Sequence, residues 1–251
     1  MTTRTPKPRV KGKPASAPRT TLRRQEPKTE NTKKAAIADS KQAFLDKLTP
    51  IVQRENRRLE TLRAGVISLV SRLERNAALS DAEESRLREL AERYRVKGDP
   101  VTEAKARDEL VEKVDIIPVG LTLAQAVNES AWGKSRFARE GLNLFGIWTY
   151  DPDKGIVPKS RAKGKKHLVR KFDSLDESVR YYMENLNSHP AYASLRKIRR
   201  EQRAAGESLD SLPLAEGLEK YSAKGKVYVE LIQGIIKRYD LAAIDDNVTR
   251  G

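Results

Sequence analysis

The run "IIPVGLTLAQAV" over 116–127 is nearly unbroken apolar sequence, and it leads straight to Glu129. It is too short to cross a bilayer, which takes roughly 20 residues. The pattern predicts a buried helix over 117–131. Ser130, Trp132 and Gly133 follow the carboxylate at once. The glycine is expected to end the helix, placing the carboxyl where the backbone turns away and opens a groove. An isolated buried carboxylate is costly. One flanked by apolar walls at a cleft edge has a raised pKa, which suits a general acid at neutral pH. At helical spacing Gln125 (i−4) and Trp132 (i+3) share the face of Glu129. A surface glutamate on an amphipathic helix is the plain alternative, and spacing alone does not separate the two.

The 251 residues suffice for one large domain with additions. Residues 1–37 hold five of the twelve prolines and many Lys, Arg and Thr. Too little apolar surface is available there to offset ordering, so a disordered basic tail is expected. Residues 1–35 carry eleven Lys/Arg against two Glu, a large share of the net +15. Such a tail suits contact with anionic polymers. The chain has no cysteine, which excludes disulfides, a catalytic thiol and cysteine-ligated metal. His167 and His189 lack metal-ligand spacing and read as loop or surface residues, so no metal site is expected. No transmembrane helix and no signal-peptide h-region is visible.

Residues 38–115 read as an N-terminal helical arm. Phe44, Leu48, Ile51, Val52, Leu59, Leu62, Val66, Leu69, Val70 and Leu73 recur at helical spacing, with Pro50 expected to kink or restart the helix. "SDAE" (80–83) is a capping box for a second helix, and a third covers 101–114. Beyond the buried helix, "SRFARE" predicts a short helix ending at Gly141. "NLFGIWTY" (143–150) and "HLVRKF" (167–172) read as strands joined by a polar, basic loop. "SLDE" (174–177) reads as a second capping box, with further helices near 191–204, 212–222 and 224–239. The last helix shows one apolar face of Tyr228, Leu231, Ile232, Ile235, Ile236 and Tyr239.

Eight of the fourteen aromatics fall between 132 and 182, including both tryptophans. Part of this is core. Aromatic faces also grip sugar rings by apolar stacking, while placed polar groups bond the hydroxyls. "AQAVNESAWGKSRFA" followed by "NLFGIW" resembles the signature of the glucosaminidase family of peptidoglycan hydrolases, which includes the muralytic domain of flagellar rod-assembly proteins. "KQAFLDKLTPIV" (41–52), "VDIIP" (114–118) and "YSAKGKVYVELI" (221–232) resemble its Bax-like branch. The resemblance covers about 40–245.

It implies a mainly α, lysozyme-like α+β fold, with a small β-lobe beside the cleft, over 116–245. It implies Glu129 as catalytic acid and Tyr221 as a functional tyrosine. Gln125, Trp132, Asn143, Phe145, Trp148 and Tyr228 are the expected substrate-binding residues. The implied activity is an endo-β-N-acetylglucosaminidase that cuts the β-1,4 bond after N-acetylglucosamine in peptidoglycan strands, without metal or organic cofactor. The expected location is the cell envelope, periplasm or exterior. The chain departs from the flagellar pattern after Tyr221 and has no Glu between 143 and 172. Asp151 and Asp153 are the possible second carboxylates. A muramidase or lytic transglycosylase on the same fold, and a non-catalytic wall or polyanion binder, remain the other readings.

Overall fold

The computed structural model describes residues 27–159, 161 and 164–248, without the side chains of 27–33 and 246–248. The chain divides at Asp39 into two units, and the second, Ser40–Gly251, holds the cores and the site described below. The expected tail is only partly within reach. Residues 1–26 lie outside the described residues, while α1 (Pro27–Glu74) already includes 27–37. Lys, Ala and Glu there are good helix formers, and proline is favoured in the first turn.

Pro50 neither kinks nor restarts α1, which runs through it. Pro50 is exposed, so the carbonyl left without its helical donor faces water, and the Thr49 hydroxyl donates to the Leu45 carbonyl at 2.8 Å. Helix α2 (Asp81–Arg93) opens with the expected capping box on Ser80 and Glu83, and α3 (Ala104–Lys113) follows. Val66, Val70, Leu87, Leu90, Tyr94, Leu110 and Val114 form a small core among these three helices. The first half of α1 belongs elsewhere. Leu45, Leu48, Val52 and Leu59 pack into the main core with α4 (Val119–Ser130), α6 (Leu175–Ser188) and α9 (Lys226–Arg238).

The entry to α4 is a non-helical backbone, "VDIIP", whose polar groups need partners once buried. Asn56 Nδ2 donates to the Ile117 carbonyl at 2.8 Å, Arg63 to the Val114 carbonyl at 2.8 Å, and Asn187 Nδ2 to the Asp115 carbonyl at 2.7 Å. Arg199, fully buried on α7 (Ala193–Ala204), donates to the Ile116 and Glu112 carbonyls and to Asn187 Oδ1. Burial lowers its pKa to about 10 against the opposing pull of Asp115. Burial also works against charge on Asp115, but Arg199, Arg203 and Arg63 together hold that carboxyl below the usual range.

Helix α5 (Arg136–Gly141) ends on Leu142 in the left-handed region (φ 50°), one residue later than expected. Gly141 is the last helical residue, and Ile156 Cδ1, which an added Cβ would meet at 2.9 Å, approaches too closely for a side chain there. The β-lobe has three strands. β1 (Trp148–Thr149) and β2 (Gly155–Ile156) both pair antiparallel with β3 (Leu168–Arg170), in the order β1-β3-β2. β2 comes from the segment read as loop, because two residues carry too little pattern to signal a strand. "SLDE" is not a full capping box: Ser174 caps the Glu177 N–H, but Glu177 accepts from Asp173. Helix α8 (Ser211–Ala215) and a 3-10 stretch (Glu216–Tyr221) cover the 212–222 region. On α9 Leu231 is exposed rather than core. The terminal α10 (Ala243–Val248) had no sequence signal. The whole is the mainly α, lysozyme-like α+β arrangement with its small β-lobe.

Two tests follow from the packing. A Cβ at Gly217 would lie 2.2 Å from Leu195 Cα, a backbone atom that cannot swing aside. Gly217→Ala should lower unfolding free energy by about 2 kcal/mol, whereas Gly65→Ala and Gly234→Ala, in open helix positions, should raise it by about 0.5–1 kcal/mol. Denaturant titration separates these signs. The second concerns Asp245, which accepts from the Gly120 N–H at 2.9 Å and from Ser211 Oγ. Burial raises its pKa from 3.8 to about 6. The folded state thus binds its proton more tightly. The stabilisation is complete below the unfolded pKa and is lost as pH rises through about 6. Asp245→Asn should therefore gain about 2 kcal/mol relative to wild type between pH 4 and 7. A constant difference across that window would refute the assignment.

Candidate active site

Helix α4 is buried along its length until Asn128 and Glu129, which are half-exposed. Its C-terminus is built by an abrupt left-handed turn. Ala131, Trp132 and Gly133 take φ of 51°, 61° and 73° in succession. Ser130 anchors this turn: its Oγ donates to the Ala126 carbonyl at 2.6 Å and accepts from the Gly133 N–H at 2.7 Å. The Ser135 N–H closes onto the Ser130 carbonyl, and the Ser135 side chain caps α5. The serines and glycine of "ESAWGKS" thus reverse the chain immediately after Glu129.

This turn invalidates the helical spacing that put Trp132 beside Glu129. The helix has already ended at Ala131, and the Trp132 ring packs edge-on against Phe44 (6.0 Å) and Tyr239 (4.8 Å), with Lys41 Nζ 5.0 Å above it. It closes the packing between α1 and α9 and is not part of the Glu129 cluster.

Gln125 does share the Glu129 side of the helix. It is fully buried and sits in a directional chain of hydrogen bonds. Tyr182 Oη donates to Gln125 Oε1 at 2.6 Å, Gln125 Nε2 donates to Tyr228 Oη at 2.8 Å, and Tyr228 Oη donates to Glu129 Oε1 at 2.8 Å. Asn128 Nδ2 adds a second donor to the same Oε1 at 3.0 Å. That oxygen is therefore held as an acceptor, and a proton on the carboxyl belongs on Oε2. Oε2 faces Gly146, where an added Cβ would stand 3.4 Å away. Gly146 has φ +67°, so a side chain there would be strained and would stand against the Glu129 carboxyl.

The loop carrying Gly146 is organised by Asn143, which is buried. Its Nδ2 donates to the Ile147 and Arg170 carbonyls, each at 2.8 Å, and its Oδ1 accepts from the Phe145 and Ile147 N–H groups. Asn143 thereby ties the loop to the β-lobe. Phe145 turns its ring into the core, stacked on Tyr182 at 4.0 Å, while its carbonyl accepts from Tyr221 Oη at 2.8 Å. Tyr221 lies parallel to Tyr228, 5.5 Å away at 8°. Burial, then the neighbouring tyrosines and the charge of Glu129, push the Tyr221 phenol well above its ordinary value. Burial and Glu129 do the same to Tyr228. Both stay protonated donors.

Among the expected substrate-binding side chains, Gln125, Asn143, Phe145 and Tyr228 are buried behind the site. Only Trp148 offers an open ring, 59% exposed. Sequence reasoning missed Tyr182 as a relay member and set His167 aside as a plain loop residue. His167 stacks on Trp148 at 4.3 Å and 19°, a pairing across β1 and β3 that spacing does not reveal. Asp151 caps the 3-10 turn Pro152–Lys154 through the Asp153 N–H and faces Lys154 at 3.7 Å, and Asp153 is exposed. No hydrogen bond joins either to the Glu129 cluster among the described residues.

Comparison with known proteins adds a separate line. A family model, "Glucosaminidase: Mannosyl-glycoprotein endo-beta-N-acetylglucosaminidase", matches residues 104–241. The chain is 37% identical over 188 residues to Protein bax of Escherichia coli (strain K12), covering 75% of this chain and 65% of that protein. It is 26% identical over 149 residues to Exo-glucosaminidase LytG of Bacillus subtilis (strain 168), covering 55% and 49%. The chain thus spans less than two thirds of the length of either relative. No solved structure gives a significant match. Because the family match runs through more than half of the chain and takes in Glu129, Gly146, Tyr221 and Tyr228 together, the chain belongs to the glucosaminidase family.

Proposed function

We propose that this protein is a peptidoglycan hydrolase of the cell envelope, an endo-β-N-acetylglucosaminidase with Glu129 as its general acid. The observation that carries the reading is the split use of the Glu129 carboxyl. Oε1 is tied by Tyr228 and Asn128, and Oε2 is left toward Gly146 and the β-lobe. Family membership and the glucosaminidase named among the relatives support the substrate class.

Glu129 gives the Oε2 proton to the glycosidic oxygen as the C1–O bond breaks. The open position of Asp151 in its cap and ion pair makes it a poor second carboxylate. N-acetylglucosamine carries an internal nucleophile, the 2-acetamido carbonyl oxygen, and substrate-assisted hydrolysis is a known exception to the two-carboxylate scheme. That oxygen bonds C1 to form a cyclic oxazolinium, which water opens, returning a proton to Glu129. Tyr221 suits the acetamide. Its own proton is committed to the Phe145 carbonyl, so its oxygen presents lone pairs to the acetamide N–H. A one-acid scheme also serves a lytic transglycosylase, whose product would be an anhydro-sugar.

Glu129→Gln should reduce cleavage of purified sacculi by about 100- to 10,000-fold. Its melting temperature should hold, because the amide oxygen still accepts from Tyr228. A wild-type rate would remove Glu129 from the mechanism, and mass spectrometry of the wild-type fragments identifies the bond cut. NMR of the first-formed anomer tests the acetamide route: the β-anomer should appear first, and an initial α-anomer would refute it. Asp151→Asn and Asp153→Asn should keep full activity, while Tyr221→Phe should lose most of it.

A further inference from the structure

Residues 1–35 hold eleven of the 50 Lys/Arg and two of the 35 Asp/Glu, leaving the rest of the chain with a net +6. Residues 151–171 alone carry eight Lys/Arg and two Asp, also +6. The remainder of the body is therefore neutral, and its entire excess charge sits in and around the β-lobe. Several body cations are paired, Arg93 with Glu184 at 2.5 Å, Arg200 with Glu112 at 2.5 Å and Arg203 with Asp115 at 2.9 Å. In the lobe Lys154 faces Asp151 at 3.7 Å and Arg170 faces Glu177 at 4.0 Å. Lys159, Lys165, Lys166 and Lys171 are exposed, and none has a carboxylate partner among the described residues.

A basic run alone is an ordinary solvated face. Here it is joined to a second feature. Lys165 and Lys166 lead directly into His167, which stacks on the open Trp148 ring, and Tyr150 next to it is 75% exposed. Trp148 stands two positions after Gly146, the residue that faces Glu129 Oε2. An open aromatic ring and a cluster of exposed, unpaired lysines thus share the one lobe that follows Gly146.

We propose that the β-lobe reads the carboxylates of peptidoglycan stem peptides, so that the protein takes glycan strands still bearing their peptides in preference to denuded strands. This rests on the hydrolase reading above. The sugar rings are uncharged. A denuded strand keeps one lactyl carboxylate held against each substituted ring, whereas a stem peptide carries several carboxylates farther out. Lysines, as point charges on flexible stems, suit carboxylates on a flexible peptide better than a fixed guanidinium fork does. Attraction of this kind acts over about 10 Å at 0.1 M salt and weakens as salt rises.

The test uses the full chain as Glu129→Gln, so that ligand survives. Calorimetry compares peptide-bearing glycan oligomers with the same oligomers after amidase removal of the peptides. At low salt the peptide-bearing form should bind roughly tenfold more tightly, as three or four exposed charge contacts allow, and the gap should close by about 0.5 M salt. Adding Lys159→Gln, Lys165→Gln and Lys166→Gln should abolish the preference while leaving affinity for denuded strands and the melting temperature unchanged. Equal affinities, or a preference that survives the triple change, would overturn the proposal. So would tighter binding of a glycerol-phosphate polymer than of peptide-bearing strands. Cleavage of sacculi by wild type is measured in parallel. Cleavage with equal affinities sinks this inference alone. A lysine-dependent preference without cleavage sinks the hydrolase reading and leaves the lobe's role standing.

Discussion

A helix buried along nearly its whole length has only protein to satisfy its polar side chains. Helix α4 is such an element, and the consequences reach most of the site. Gln125 lies fully buried and would be costly without partners. It finds them in Tyr182 and Tyr228, and Tyr228 passes the bond on to Glu129. One buried amide thereby fixes the orientation of a carboxyl one helical turn away. Since every donor in the chain points the same way, Glu129 Oε1 is left as acceptor and Oε2 is the oxygen turned toward Gly146.

The second constraint is the exit from α4. A non-glycine residue in the left-handed region costs on the order of 1 kcal/mol, and Ala131 and Trp132 both adopt it. The surroundings over-determine that turn. Ser130 Oγ bonds on both sides of it, the Trp132 ring is clamped by Phe44 and Tyr239, and the Ser135 N–H closes it. The result is a carboxylate at the last point where the helix is still regular, with the backbone already moving away. Asn143 does the equivalent work opposite, holding Gly146 against Glu129 and tying that loop to β3. The Glu129 carboxyl is thus placed from two sides by buried side chains.

Charge is distributed by the same logic. Inside the helical body, Asp115 and Arg199 are tolerated because they bond the irregular "VDIIP" backbone and each other. A buried pair of this sort specifies where α4 enters rather than adding much stability. The β-lobe is too small to bury such networks. Its lysines stay in water beside Trp148 and His167.

The sequence by itself determined the elements whose signal is local. The apolar run 116–127 fixed α4, Ser80 and Glu83 fixed the start of α2, and "ESAWGKS" with "NLFG" carried the family. It also located a β-lobe between 143 and 172, though not β2, whose two residues pair only because β3 supplies an edge. Tertiary structure alone decided which side chains meet. Trp132 sits three residues from Glu129 yet packs elsewhere, because φ changes sign at Ala131 and helical spacing stops applying there. Tyr182 and Tyr228 lie far along the chain yet align on one amide, and His167 reaches Trp148 only through the β1–β3 register. Periodicity encodes which face of an element is buried. It does not encode which other element that face meets, and the hydrogen bonds that aim Glu129 exist only after α4, α6 and α9 have packed.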